Sequence, residues 1–291
     1  MSYQPPRHPL EILQKLDVEE ALDPDDPRYV NTRAARGSEQ TSKRFAKKFG
    51  LSPNDSRVFR PTQRHVLFFG HIGSGKTTEL RRYVHDLSGP GRFFTVEVNI
   101  IALLDRHNLH YPDVLMSMAH ALLERLGDEG VALPAAALRE LERWFADKVL
   151  TQEDTRELTL GIETAVSATG GVPYLLELLG RFTAAFKNNH TYKESLRRVI
   201  RNTFRDFAAA FNDLLREAEK TLLGANKAVR VLFLIDGTDK LRDEDTRRFF
   251  VYDVEQMLEI AALAVYTAPI NLKYESHLAG KLDVDLVLPM I

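Results

Sequence analysis

Residues 65–78 read HVLFFGHIGSGKTT, and the fold class turns on how this stretch divides. His65 to Phe69 is an apolar run of strand character. Thr77 opens a helical pattern with Leu80, Tyr83, Val84 and Leu87 on one face. Between them Gly70-His71-Ile72-Gly73-Ser74-Gly75-Lys76-Thr77 fits G-x-x-x-x-G-K-[ST] without a gap, and Thr78 follows. Glycines permit backbone conformations that a Cβ forbids. Successive N–H groups in such a loop turn inward and surround phosphate oxygens. The helix behind the loop aims the positive end of its dipole at the same phosphates. Lys76 is then a point charge for β- and γ-phosphates, and Thr77 offers a hydroxyl to Mg²⁺. The plain alternative is a glycine-rich turn with no ligand. A second half-site further along the chain argues against it.

That second half is Arg230-Val231-Leu232-Phe233-Leu234-Ile235-Asp236, an apolar run ending in an acid. It reads as a parallel strand buried on both faces, with Asp236 at the carboxyl end, where open α/β sheets bind ligands. Asp236 is the second candidate ligand for Mg²⁺. Asp239, three residues on, is either an acid that orients or deprotonates the attacking water or a cap for the next helix. Residues 246–264 read as that helix and 264–267 as a further strand. Thr267, near the end of that strand, is a candidate contact for the γ-phosphate. Residues 283–288 read as a last strand.

Residues 92–100 alternate, with Phe94, Val96, Val98 and Ile100 on one side, and read as a strand beside the first. Pro112 and Asp113 suit the first turn of a following helix. About 130 residues then separate this strand from the one ending at Asp236, far more than a crossover needs. Residues 128–227 are therefore expected to be a helical insertion. Within it, 158–186 read as a loop and helical hairpin broken at Gly170–Pro173. Residues 192–222 read as one long helix, opened by a Thr191/Glu194 capping box. Ile200, Phe204, Phe207, Phe211, Leu214, Ala218 and Leu222 form its seam. Lys193, Arg197, Arg201 and Arg205 repeat every four residues on this helix. That stripe is a candidate surface for a phosphate backbone or an acidic partner, or simply a solvated face. The insertion as a whole is the expected surface for self-association or a protein partner.

Residues 1–60 read as an arm packed on the core, with short helices over 11–22 and 38–50. Tyr29 and Val30 are candidates for contact with a nucleotide base, the alternative being that they pin the arm to the core. With 291 residues and 44% apolar content the chain can bury a large core. A net charge of −2 argues neither for nor against nucleic acid. The absence of cysteine excludes disulfides and thiolate chemistry and fits a cytoplasmic location. No charge-free window of about 20 residues exists to span a membrane, and no basic start with a long apolar run marks a signal peptide.

Together GHIGSGKTTEL, LIDGTDKL, VYTAPINL and the terminal LPMI resemble the additional-strand branch of P-loop ATPases, in particular the STAND and KAP types of bacteria near the AAA+ class. Asp236, Gly237, Asp239 and Lys240 match the family's Walker B pattern. The resemblance covers roughly 62–105 and 228–291, and leaves 128–227 outside it. It implies an α/β P-loop NTPase fold with a mostly parallel central sheet flanked by helices. The core would span 61–127 and 228–291, interrupted by the long insertion between the second strand and the Walker B strand. It also implies Mg²⁺ and ATP as cofactors, slow hydrolysis, and a switch or assembly role such as bacterial signalling or antiphage defence. Lys240 stands where the GxDE form of STAND proteins has Glu. No arginine follows Tyr266, where an AAA+ finger would lie. Both departures favour a switch over ring hydrolysis. The other readings are a DNA- or RNA-associated AAA+ motor, a phosphotransferase, and a nucleotide-binding scaffold without turnover.

Overall fold

The structure is a computed structural model. It describes residues 6–15, 20–37, 39–52, 55–58, 63–104, 109–148, 175–176, 179–180 and 197–290. Two short helices, α1 (Pro9–Lys15) and α2 (Glu39–Lys48), precede a small hairpin, β1 (Leu51–Ser52) with β2 (Asp55–Val58). The apolar run around Phe68 is β3 (Arg64–Gly70), followed by α3 (Lys76–Leu87), β4 (Phe93–Asn99) and the single turn α4 (Ile100–Leu103). The helices α5 (Tyr111–Asp128), α6 (Ala135–Lys148) and α7 (Phe204–Gly224) come next. The chain then returns through β5 (Arg230–Asp236), α8 (Asp243–Arg247), α9 (Val254–Leu258), β6 (Leu263–Pro269) and β7 (Asp283–Val287).

Five of these strands form one all-parallel sheet in the order β4-β5-β6-β3-β7. The expectation that β4 lies beside β3 is therefore corrected: β6 and β5 stand between them. The sequence carries a trace of this. The three inner strands are buried on both faces along nearly their whole length, whereas β4 alternates and leaves Glu97 exposed, as an edge strand can.

Alternate side chains of the sheet feed two cores. Val66, Phe68, Leu232, Leu234 and Val265 face α3 and the Phe45–Phe49 end of α2. Leu67, Phe69, Phe233, Ile235 and Tyr266 face α5, α6 and α7. The described helices of the 128–227 insertion share this second core rather than forming a body of their own. Phe207 packs 4.5 Å from Trp144, and Phe211 lies 6.1 Å from Phe233 of β5. The seam from Ile200 to Leu222 is buried, so its apolar repeat records packing onto α6 and the sheet.

Two helical expectations change. The long helix over 192–222 is interrupted at Thr203, whose φ of −123° is not helical, and α7 starts after it. Thr203 Oγ1 donates to the Val199 carbonyl at 2.8 Å, the local bond by which threonine competes with a helix. Residues 246–264 are not one helix: α8, a π-helical turn (Arg248–Tyr252) and α9 share that span, and Leu263 already belongs to β6. Pro112 and Asp113 do open α5, where the Asp113 carboxylate accepts the His110 N–H at 3.2 Å. The Thr191/Glu194 box, Lys193 and the Gly170–Pro173 break lie outside the described residues.

Candidate functional site

The loop between β3 and α3 turns tightly enough that only glycine fits at its start. A Cβ on Gly70 would lie 2.9 Å from the Lys76 side chain and 3.0 Å from the Ser74 hydroxyl. The loop thus closes over the aliphatic stem of Lys76. Gly73 and Gly75 both have φ near +80°. The first helical bond of α3 runs from the Glu79 N–H to the Gly75 carbonyl at 3.0 Å. The N–H groups of Lys76, Thr77 and Thr78 precede it, and none takes an acceptor among the described residues. The Ser74 hydroxyl, in the same loop, is buried without a partner among the described residues. Orphan donors of this kind at a helix N-terminus suit an anion. His71 and Ile72 form the exposed tip of the loop.

β3 and β5 both end at this loop. Their carboxyl ends bring Thr77 and Asp236, 159 residues apart, together: Thr77 Oγ1 lies 3.0 Å from each carboxylate oxygen of Asp236. Burial pushes the Asp236 carboxyl above its ordinary range. The charges of Asp239 and Glu97 push the same way, against the bond from Thr77. A carboxylate and a hydroxyl converging at the mouth of a cleft of about 310 Å³, lined also by Asn99, Gly237 and Lys240, are hard oxygen donors of the kind Mg²⁺ takes. The residues present therefore fit the cation that the family resemblance implies.

Asp239 occupies a place that its two sequence readings did not foresee. Its carboxylate meets the Lys76 ammonium at 2.7 Å, with Lys76 only 4% and Asp239 6% exposed. Lys76 also donates to the carbonyls of Gly70 (3.0 Å) and His71 (2.7 Å). Asp239 sits within a 3-10 turn (Thr238–Lys240), and the residue capping α8 is Arg242. The helix-cap reading is thereby corrected. Thr267 is fully buried at the end of β6. Its Oγ1 accepts the Gly237 N–H at 3.0 Å, and its carbonyl accepts the Thr238 hydroxyl. It faces the turn behind Asp236 and holds that turn in place.

The arm lies along α3. Tyr29 donates to Glu79 at 2.9 Å under the Arg82 guanidinium, 4.4 Å from the ring centre, so Tyr29 pins the arm to the core while Val30 stays exposed. The Leu22 N–H donates to Thr78 Oγ1 at 3.1 Å. Thr78 therefore binds the arm through its side chain and has its backbone N–H left over. Sequence reading missed the tie from Leu22 and also missed Arg36, whose guanidinium stands beside Gly75. No local pattern reports a contact across forty residues.

The basic stripe is broken as a surface at Arg197. Arg197 is 1% exposed and its Nε donates to the Asp113 carboxylate at 2.9 Å. Arg201 meets His110 while remaining exposed, and Arg205 projects outward. Among the described residues no helix is long and apolar enough to cross a membrane. Compared with known proteins, the chain matches no family model, no curated protein and no solved structure at a significant level.

Proposed function

We propose that this chain is a P-loop ATPase of the additional-strand group, binding Mg·ATP at Gly70–Thr78 and hydrolysing it slowly as a nucleotide-dependent switch. The observation that carries the reading is the convergence of Thr77 Oγ1 on both Asp236 oxygens at 3.0 Å. The strand order supports it, because β6 stands between the strand entering the loop and the strand ending in Asp236, which is the arrangement that gives the group its name.

In this reading the loop N–H groups and the Ser74 hydroxyl hold phosphate oxygens. Lys76 exchanges Asp239 for the phosphate chain. Thr77 and Asp236 would hold Mg²⁺, which when bound would supply charge neutralisation and polarisation of the γ-phosphoryl group. Asp239, released from Lys76, is left beside the cleft as the acid able to orient a water. Hydrolysis on the order of 10⁻² s⁻¹ or slower is expected, the scale of switch proteins that work without a partner's arginine.

The test is nucleotide binding and single turnover of the purified chain with and without Mg²⁺. Lys76→Ala should lose binding or turnover, and Asp236→Asn should keep nucleotide affinity while losing its Mg²⁺ dependence. Unchanged turnover in Lys76→Ala would sink the reading. The nucleic-acid motor is not favoured, since Arg197 of its proposed contact stripe is buried.

A further inference from the structure

The arm contributes an arginine to the mouth of the phosphate loop. Arg36 is held on two sides: its Nε donates to Thr32 Oγ1 at 2.9 Å and its Nη1 to the Pro289 carbonyl at 2.7 Å. Its Nη2 has no acceptor among the described residues and points at Gly75. A Cβ built on Gly75 would meet that nitrogen at 3.8 Å and nothing else within 4 Å. Gly75 is the left-handed residue that opens α3, with φ of 80°. A guanidinium edge thus stands beside Gly75, the residue just before the orphan N–H groups of Lys76, Thr77 and Thr78.

The charge balance of the cleft gives that edge a role. Lys76 is already matched by Asp239 and two carbonyls. Asp236 adds a second negative charge, bonded by the Thr77 hydroxyl, and Arg81 and Lys240 on the cleft wall are the cations near it. A triphosphate entering this cleft needs more positive charge than Lys76 supplies. A guanidinium fixed by two other bonds offers it at little further cost in side-chain freedom.

We propose that Arg36 binds the phosphate chain of the nucleotide and, through Thr32 and Pro289, ties the arm and the C-terminal segment to the occupied loop. The inference rests on the nucleotide reading above and adds to it a residue outside the loop and the Walker B strand. The Leu288 N–H, which donates to the Phe69 carbonyl at 2.8 Å, places that C-terminal segment directly against the end of β3. Occupancy at the loop would therefore be felt by both ends of the described chain.

The experiment measures equilibrium affinity for a fluorescent ADP, a fluorescent ATP and inorganic tripolyphosphate, each with and without Mg²⁺, in wild type, Arg36→Gln and Arg36→Lys. Thermal midpoints are recorded alongside without ligand. Arg36→Gln should weaken all three ligands by about tenfold or more, the scale of one charge-assisted contact, and Arg36→Lys should restore part of the loss. Tripolyphosphate isolates the phosphate contact from any contact to base or sugar. If wild type binds nucleotide and Arg36→Gln binds within threefold of it, with only its thermal midpoint lowered, Arg36 is a staple between arm and C-terminal segment and the inference is overturned. If wild type itself binds neither nucleotide nor tripolyphosphate, the nucleotide reading fails and takes this inference with it.

Discussion

Lys76 and Asp239 form a buried ion pair at 2.7 Å in which each partner also serves the proposed chemistry. A phosphate chain and the Asp239 carboxylate compete for the same ammonium, and once the phosphates are in place the two negative groups repel. At separations of about 4–6 Å and an effective dielectric of about 20 such repulsion is worth a few kcal/mol. Asp239→Asn keeps the shape and an acceptor for Lys76 but removes the charge. It should bind Mg²⁺-free ADP and ATP at least about tenfold more tightly than wild type, read by fluorescent-nucleotide titration. If Asp239 also orients the attacking water, the same variant should turn over about 10²–10⁴-fold more slowly. Equal affinities in the two proteins would show that the pair does not oppose nucleotide entry. Asp236 differs, because its carboxylate is buried against the Thr77 hydroxyl and makes no direct ion pair among the described residues. The ligand-free fold bears the cost of that charge, so Asp236→Asn should raise the thermal midpoint without ligand. A lowered midpoint would count against this account.

At the scale of elements, the segment before α7 illustrates how a periodic pattern can mislead. Arg197, Arg201 and Arg205 keep a four-residue spacing, yet the chain turns at Thr203, Arg197 is buried on Asp113, and Arg201 reaches His110 at the start of α5 from an exposed position. Arg197 and Asp113 are 1% and 0% exposed. Removing one member of such a pair strands the other charge in a dry site, which typically costs about 3–5 kcal/mol. Arg197→Ala should therefore lower unfolding stability by that order in a denaturant titration, whereas Arg205→Ala, at the exposed position, should stay within about 0.5 kcal/mol. Similar small losses for both would mean that the buried pair is not what docks the 197–202 turn against α5.

For the molecule as a whole, His65 couples stability to pH. It sits at the start of β3, fully enclosed, with Nε2 3.0 Å from the Ile260 carbonyl and Nδ1 3.2 Å from the Tyr266 hydroxyl. A carbonyl only accepts, so Nε2 carries a proton, and in the neutral ring Tyr266 donates to Nδ1. Burial pulls the imidazole down to about 4, against the weaker opposing effect of the Ile260 carbonyl. The folded value lies below the ordinary one near 6.5. The unfolded chain therefore binds the extra proton between these limits. The contribution is fully present above about pH 6.5 and is lost as pH falls to about 4. At 1.36 kcal/mol per unit this amounts to about 3 kcal/mol. Asp236 and Asp253, whose carboxyls are raised by burial, act in the opposite direction, so the effect is read as a difference. Wild type should lose about 3 kcal/mol relative to His65→Gln between pH 6.5 and 4 in urea titrations. Parallel pH profiles would remove His65 from the account.

The sequence by itself determined the local chemistry. The loop at Gly70–Thr78, the strand ending at Asp236 and the start of α5 at Pro112 were legible, because glycine, a capping acid and an uninterrupted apolar run act on the backbone within a few residues. The α/β class followed from the same runs. Only the tertiary structure decided the order β4-β5-β6-β3-β7, since inner parallel strands are apolar on both faces and carry no mark of which neighbour they choose. It also decided the partners of polar side chains: Asp239 on Lys76, Thr267 on the turn behind Asp236, Arg197 on Asp113, and Arg36 beside Gly75. A charged side chain looks the same in sequence whether it meets water, a phosphate or a counter-ion. What settles the matter is which distant element closes over it, and that depends on how the whole chain packs.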